Sequence, residues 1–362
     1  MKHSFSISIL VFAFIILSCG DNKNKSNSEG KNQVIDDYSA KIDSLIQTTS
    51  PRKFNGVVLI TQKGETKYSK EYGFSDFEKR IPIRLNDNFR IQSNSKQITA
   101  VLTLKEVEKG NINLNNSINK YLPELKSTWV DSVTVHQLLN MSSGIVDIEK
   151  PLAFEPGTDY IYSNAAYGLL GKIIEKVSGK EFIDIANNLF KELSMNNTFC
   201  YEFGGNQNGL INGYTNTEEG YEIVDFYSRG ITPEGWSNFI PAGGIISSAV
   251  DLTTWDTKLH NGSILRPESY ELMTNFNIRG RHAAFGNKKI GYGYGVRIDD
   301  SKDFKIIGHA GKGIGFANIK FYLPKKDLHV VLLENVYDED PNVVYHFERR
   351  IIDLIMNSSL VK

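Results

Sequence analysis

Apolar residues fall along the chain in two kinds of pattern. From Asn55 to Phe74 the run Val57-Val58-Leu59-Ile60, a turn at Lys63-Gly64 and the stretch Thr66 to Tyr72 predict a β-hairpin. Phe304 to Ile307, Phe316 to Leu323 and Leu328 to Leu333 predict three more strands, the last two joined by Pro324-Lys325-Lys326-Asp327. Between Ser93 and about Leu193 the apolar spacing changes to three and four. Ala100, Val101, Leu104 and Val107 end at Gly110, and Tyr167, Leu170, Ile174 and Val177 end at Gly179, which predicts helices with glycine stops. A last helix is expected to open at Asp340-Pro341 and to place Val344, Phe347, Ile351, Leu354 and Ile355 on one face. Strands at both chain ends with helices between them predict an α+β fold: an antiparallel sheet flanked by helices, carrying a mostly helical inserted subdomain. The sheet part is expected over about 36–90 and 238–362 and the helical part over about 91–237. A cleft belongs where the two meet.

The first residues have a different character. Met1-Lys2-His3 precedes an apolar run from Phe5 to Leu17, and the run closes on Leu17-Ser18-Cys19-Gly20. At about 13 residues it is shorter than the roughly 20 a spanning helix needs, so residues 1–18 are expected to be a secretion signal ending in a lipidation box, with Cys19 carrying the lipid. Residues 19–35 are polar, without an apolar face, and are expected to tether a domain at 36–362 to a membrane on the envelope side of a bacterial cell. With Cys19 lipidated, Cys200 has no partner for a disulfide, since the chain has two cysteines. The 41 basic and 42 acidic residues nearly balance, which disfavours nucleic acid as a partner. No His-Glu-x-x-His run or phosphate-cradling loop is present, so no metal or nucleotide cofactor is implied.

Candidate chemistry begins in Phe89-Arg90-Ile91-Gln92-Ser93-Asn94-Ser95-Lys96. A serine three residues before a lysine on a helix shares a face with it, one turn apart, and such a lysine can take the hydroxyl proton. Ser28 with Lys31, Ser50 with Lys53, and Ser117 with Lys120 have the same spacing. Only Ser93 stands at a helix start behind a strand-like approach, where free N–H groups and the helix dipole favour an oxyanion. In Glu155-Pro156-Gly157-Thr158-Asp159-Tyr160-Ile161-Tyr162-Ser163-Asn164, two readings stay open. Asn164 caps the following helix while Tyr162 packs, or the Tyr162 phenol, its pKa lowered by the Lys96 ammonium, shuttles protons. Tyr214-Thr215-Asn216 is a rival match. Ile307-Gly308-His309-Ala310-Gly311-Lys312 is read as a strand end entering a glycine-rich turn, where the backbone N–H after Gly311 can hold an oxyanion. His260-Asn261-Gly262 is its rival.

In the order Ser-x-x-Lys, Tyr-x-Asn, His-x-Gly, the chain resembles the serine β-lactamase and penicillin-binding-protein superfamily, and within it the class C β-lactamase and D,D-carboxypeptidase branch. The resemblance covers roughly Asn55 to Met356. It includes Leu138-Leu139-Asn140-Met141-Ser142-Ser143-Gly144, Pro241-Ala242-Gly243-Gly244 with Asp251 and Trp255, and Gly291-Tyr292-Gly293-Tyr294-Gly295. It implies an acyl-enzyme: Ser93 attacks a carbonyl, Lys96 and Tyr162 manage protons, Asn164 orients Lys96 and the substrate amide, and the N–H groups of Ser93 and Lys312 hold the oxyanion. His309, Ala310 and Gly311 would meet the substrate. Members that open β-lactams commonly carry Lys-Thr-Gly at the third element; His309 and Ala310 stand there instead and weaken recognition of a carboxylate. An unshifted lysine is neutral in only about one molecule in a few thousand at pH 7, so a base role needs a depressed pKa. The expectation is a serine hydrolase for small-molecule or peptide amides or esters, a peptidase, carboxypeptidase or esterase before a β-lactamase. The alternative is a sensor lipoprotein that binds cell-wall peptide or a β-lactam without turnover. Oligomeric state is left open. Tyr292, Tyr294, Trp236 and Phe239 read mainly as core or rim packing.

Overall fold

Four consecutive apolar residues, Val57 to Ile60, leave a strand no polar face to turn toward water. The strand they form, β1 (Gly56–Gln62), is accordingly buried along nearly its whole length. Lys63 and Gly64 take φ of 52° and 78°, the turn whose twist suits a two-residue hairpin, and return the chain as β2 (Glu65–Tyr72). β2 lies at the sheet edge, where its charged Glu65, Lys67, Lys70 and Glu71 oppose further strand addition.

The computed structural model describes residues 36–205, 209–217, 220–301, 303–340 and 342–362, and Asp36–Lys362 is one compact unit. The expected signal, Cys19 and the polar tether lie outside the described residues. Six more strands come late: β3 (Ile278–Arg281), β4 (Lys289–Tyr292), β5 (Arg297–Asp299), β6 (Ile306–Gly313), β7 (Phe316–Leu323) and β8 (Leu328–Glu334). They complete an eight-stranded antiparallel sheet in the order β3-β4-β5-β6-β7-β8-β1-β2. Toward its β2 edge, β1 pairs with β8, Gly56 opposite Glu334.

One face of the sheet is covered by α1 (Ser39–Ile46), whose Ile42 and Ile46 join Val58, Ile60, Ile319 and Val330 in one apolar cluster. The insertion between β2 and β3 supplies α2 (Ser95–Glu108), α3 (Val135–Leu139), α4 (Asn164–Ser178), α5 (Phe182–Glu192), α6 (Pro233–Gly243), α7 (Ala249–His260) and α8 (Pro267–Thr274). Its second, larger cluster takes Val57, Leu59, Val331 and Leu333 from the other face of the sheet. The last helix, α9 (His346–Met356), returns to α1. It begins later than Asp340-Pro341 suggests, because the Asp340 carbonyl accepts from the N–H groups of both Val343 and Val344 and closes a turn ahead of the helix.

α2 is buried around almost its full circumference and forms the spine of the insertion. α4 is held at both ends by local chemistry: the Ser163 hydroxyl accepts from the Ala166 N–H, and Gly179 closes the helix at φ 68°. α4 and α6 approach closely because Gly168 and Gly171 carry no side chain. A Cβ at Gly171 would lie 2.3 Å from Pro241 Cγ, and one at Gly168 would lie 2.7 Å from the Asn238 carbonyl oxygen. β6 does not end before the glycines. Its ladder with β7 runs unbroken from Ile307 opposite Tyr322 to Gly313 opposite Phe316, so the turn falls at Ile314-Gly315 and His309 to Lys312 sit within a strand.

Candidate active site

The candidate nucleophile sits in a single helical turn, Gln92–Asn94, that leads directly into α2. Gln92 has φ of 49°, a conformation that costs a non-glycine residue roughly 1–2 kcal/mol, and its side chain is tied by a 2.7 Å bond to the Gly313 carbonyl. From Asn88 to Leu104 only the next residue, Ser93, is accessible. The close fit of β6 against this turn again requires glycine, since a Cβ at Gly311 would stand 2.6 Å from the Ile91 carbonyl oxygen.

Lys96 is fully buried, and its Nζ makes three contacts: 3.2 Å to Ser93 Oγ, 2.7 Å to Asn164 Oδ1 and 2.7 Å to the Ala242 carbonyl. Two of these partners are carbonyls and can only accept. In a neutral lysine they hold the two N–H bonds and leave the lone pair directed at the Ser93 hydroxyl. Burial, and then the positive charge of Arg297, push the Lys96 pKa well below its ordinary value. The cluster therefore favours the form of lysine that can accept a proton.

Tyr162 departs from the expectation of a lowered pKa. Burial raises it, outweighing a hydrogen bond from Ser93 that pulls the other way. The Lys96 nitrogen sits over the ring at 4.8 Å from its centroid. Tyr162 is thus a phenol able to donate a proton, not a standing phenolate. Ser163, not Asn164, caps α4, which frees the Asn164 carbonyl for Lys96 and leaves its NH2 group to offer a substrate.

His309 is also fully buried, and burial holds its pKa well below the ordinary histidine value, so the ring is neutral. Nδ1 lies 2.7 Å from the Ala310 carbonyl, which can only accept, so Nδ1 bears the proton. Nε2 then accepts from the Tyr292 hydroxyl at 3.2 Å. Both ring nitrogens are occupied, and the ring stacks obliquely on Tyr162 at 6.1 Å. The structure thus gives His309 the task of holding the tyrosines, in place of the expected direct grip on a substrate. Successive strand residues face opposite ways, and the Ala310 methyl belongs to the core under α1 and α9. Only its backbone can meet a ligand. Among the described residues β5 pairs with Ile306 to Gly308 alone, so the edge of β6 from His309 to Gly313 has no strand on that side. Lys312 lies on this edge with its side chain exposed and its Nζ 5.9 Å from the Tyr337 ring centroid.

The rival motifs fall elsewhere. Tyr214-Thr215-Asn216 lies in a small strand paired with Gly220–Ile223, and His260 ends α7, stacked on Tyr322 at 4.1 Å. Met141 is buried, and its sulfur accepts the Ser163 N–H at 3.2 Å, so it supports the start of α4.

Two groups at the site have no sequence expectation behind them. One is the Ala242 carbonyl. The other is Arg297 of β5, 1% exposed, which donates to the Tyr160 hydroxyl at 3.1 Å and lies 5.2 Å and 5.5 Å from the rings of Tyr292 and Tyr162. Its Nε and Nη1 have no protein partner among the described residues. Buried unpaired donors are costly, and here they keep a full positive charge beside the serine site. The Gly291 to Gly295 run just before it was the available signal, but nothing local marks Arg297 as inward.

A sheet closed by both chain ends, with a helical insertion and a Ser-Lys-Tyr-Asn group at their junction, defines the class of serine hydrolases related to penicillin-binding proteins. The chain belongs to the beta-lactamase family, whose profile matches residues 42–353. Among curated relatives it is 24% identical to Protein flp of Staphylococcus aureus (strain COL) over 357 residues, 89% of this chain and 68% of that one. Among solved structures it is similar to the octameric penicillin-binding protein homologue from Pyrococcus abyssi, with a TM-score of 0.74 and 27% identity over 89% of this chain and 78% of that one. It also shares its fold with the D-amino acid amidase from Ochrobactrum anthropi SV3, with a TM-score of 0.76 and 21% identity over 88% and 98% of the two chains.

Proposed function

We propose that this protein hydrolyses an amide or ester by way of an acyl group on Ser93, acting as a peptidase, carboxypeptidase or esterase in preference to a β-lactamase. The observation that carries the reading is the set of acceptors around Lys96: two fixed carbonyls and one hydroxyl, with no carboxylate among its hydrogen-bond partners. Neutral Lys96 takes the proton as Ser93 Oγ bonds to the substrate carbonyl carbon, and the carbonyl electrons move onto oxygen. The N–H groups of Ser93 and Lys312 are the candidate donors to that oxyanion. Collapse of the intermediate expels the amine or alcohol, which takes a proton from the Tyr162 hydroxyl, and Lys96 returns its proton to Tyr162. Water then adds to the Ser93 ester and releases the acid, and Oγ regains a proton.

Arg297 supports a substrate with an anionic end, since it supplies the positive charge that His309 and Ala310 do not. The D-amino acid amidase similar in fold acts on an amide, which fits a site built for acyl transfer more than for one ring-opened substrate. A fluorophosphonate probe tests the reading: the wild type should be labelled at Ser93 and Ser93→Ala should not. An unlabelled wild type, or equal labelling of both, would overturn it. We also propose attachment to the envelope-facing side of a membrane through Cys19, on the strength of Leu17-Ser18-Cys19-Gly20. Incorporation of labelled palmitate that survives Cys19→Ser would refute this.

A further inference from the structure

The polar residues around the start of α2 are tied to several surrounding elements. Asn94 Nδ2 donates to Asn318 of β7, the Ser95 hydroxyl accepts from the Ile245 N–H at 3.2 Å, and Lys96 reaches Asn164 and Ala242. Thr99 donates to the Pro241 carbonyl at 2.6 Å. The remaining tie is ionic. Gln97, next in sequence to Lys96, accepts through Oε1 from Trp255 Nε1 at 2.8 Å and from the ammonium of Lys320, which is in turn paired with Asp256.

Lys320 is 2% exposed and Asp256 1%. Lys320 lies on β7 directly opposite His309 of β6, and residues opposite one another in an antiparallel pair project from the same face. The sheet thus sends two side chains from neighbouring positions toward the insertion: His309 to the tyrosines, and Lys320 to the helix that follows the nucleophile and carries Lys96. A buried ion pair is a poor source of net stability, because desolvation consumes most of its attraction. Its value lies in geometry. With Asp256 fixed on α7 and Lys320 on β7, the pair offers Gln97 a donor whose place two rigid elements set.

We propose that Lys320 and Asp256 are positioning residues for the serine site, acting through Gln97 to hold the first turn of α2 and with it the spacing of Ser93 and Lys96. The inference rests on the serine-hydrolase reading above. The link is local: a shift of Gln97 carries Lys96 with it along the same turn, and a misplacement of about 1 Å at reacting groups costs on the order of a hundredfold in rate.

Two variants test it. Gln97→Met cuts the link and leaves the Lys320 and Asp256 charges paired with each other. The double variant Lys320→Met with Asp256→Leu removes both charges at similar volume, a change that buried pairs often tolerate. With a chromogenic ester, kcat should fall about tenfold or more in each while KM stays within about twofold and the thermal midpoint moves by only a few degrees. Wild-type kcat in a folded variant would overturn the inference. So would a parallel change in kcat, KM and midpoint, which would mark general loosening of the fold. Should the double variant fail to fold, Gln97→Met decides the question alone. Labelling of the wild type at Ser93, measured on the same preparation, separates the two levels. A labelled wild type beside full-rate variants removes the positioning role only, whereas an unlabelled wild type removes the hydrolase reading and this role with it.

Discussion

The Nζ of Lys96 lies 2.7 Å from the carbonyl oxygen of Ala242, a main-chain acceptor that no change of ionisation can remove. With burial and Arg297 both opposing the charged form, activity should rise with pH through a limb placed well below the ordinary lysine value. Lys96→Arg keeps a cation that cannot be deprotonated and should lower kcat by about a hundredfold or more. A pH series of kcat/KM on the wild type, with circular dichroism on the variant, checks both statements.

Arg297→Met removes the second largest influence on Lys96. Because that charge lowers the Lys96 pKa, its loss should move the rising limb of the pH profile to higher pH. It should also lower kcat/KM more for substrates with a free carboxylate than for those without one, since the buried Arg297 charge attracts an anionic end through space. Matched substrates with and without that carboxylate separate the two effects.

Gly171→Ala places a methyl group 2.3 Å from Pro241 Cγ. Overpacking of this kind costs roughly 1–3 kcal/mol. The residue after Pro241 holds Lys96, so the variant should lose kcat as well as thermal midpoint. Gly110→Ala, where a Cβ would meet nothing within 4 Å though φ is 80°, serves as the comparison: some stability lost, kcat retained.

A buried group of three charges should make stability fall with rising pH. Arg52 donates to both oxygens of Glu334 at 2.6 Å and 2.8 Å, and Glu348 stands 3.7 Å away with neither oxygen hydrogen-bonded among the described residues. Burial, and then the Glu334 charge, raise the Glu348 pKa from 4.5 to about 8. The folded state therefore holds a proton that the unfolded chain gives up, so its contribution is complete below pH 4.5 and is lost as pH rises through about 8. Glu348→Gln should flatten the thermal midpoint between about pH 5 and about pH 9, where the wild type declines. A variant that declines as steeply would refute the assignment.

The sequence disclosed what local spacing can encode. Val57 to Ile60 can only be a buried strand, Tyr167 to Gly179 is a helix with its own stop, and a serine one turn before a lysine is a relation within a single helix. β3, β4 and β5 were not foreseen, because they are short and are broken by Gly280, Gly291 and Gly293, whose bare backbones admit Tyr160, Phe276 and the Met273 carbonyl. The state of His309 depends on Tyr292, and that of Tyr162 on how deeply its hydroxyl is desolvated. Arg297 reads as an ordinary charged residue in Val-Arg-Ile until the tyrosines around it are seen. Each of these is a property of residues brought together by the sheet, and no window of sequence contains it.

The pairing of Gly56 with Glu334 also sets the timetable of folding. β1 is separated in sequence from β8 by the whole insertion and by β3 to β7, so its inner edge stays bare until those segments are in place. Contacts this distant in sequence are slow to form, and an uncovered strand edge invites the wrong neighbour. The cleft where sheet and insertion meet is therefore completed only once β8 has paired with β1.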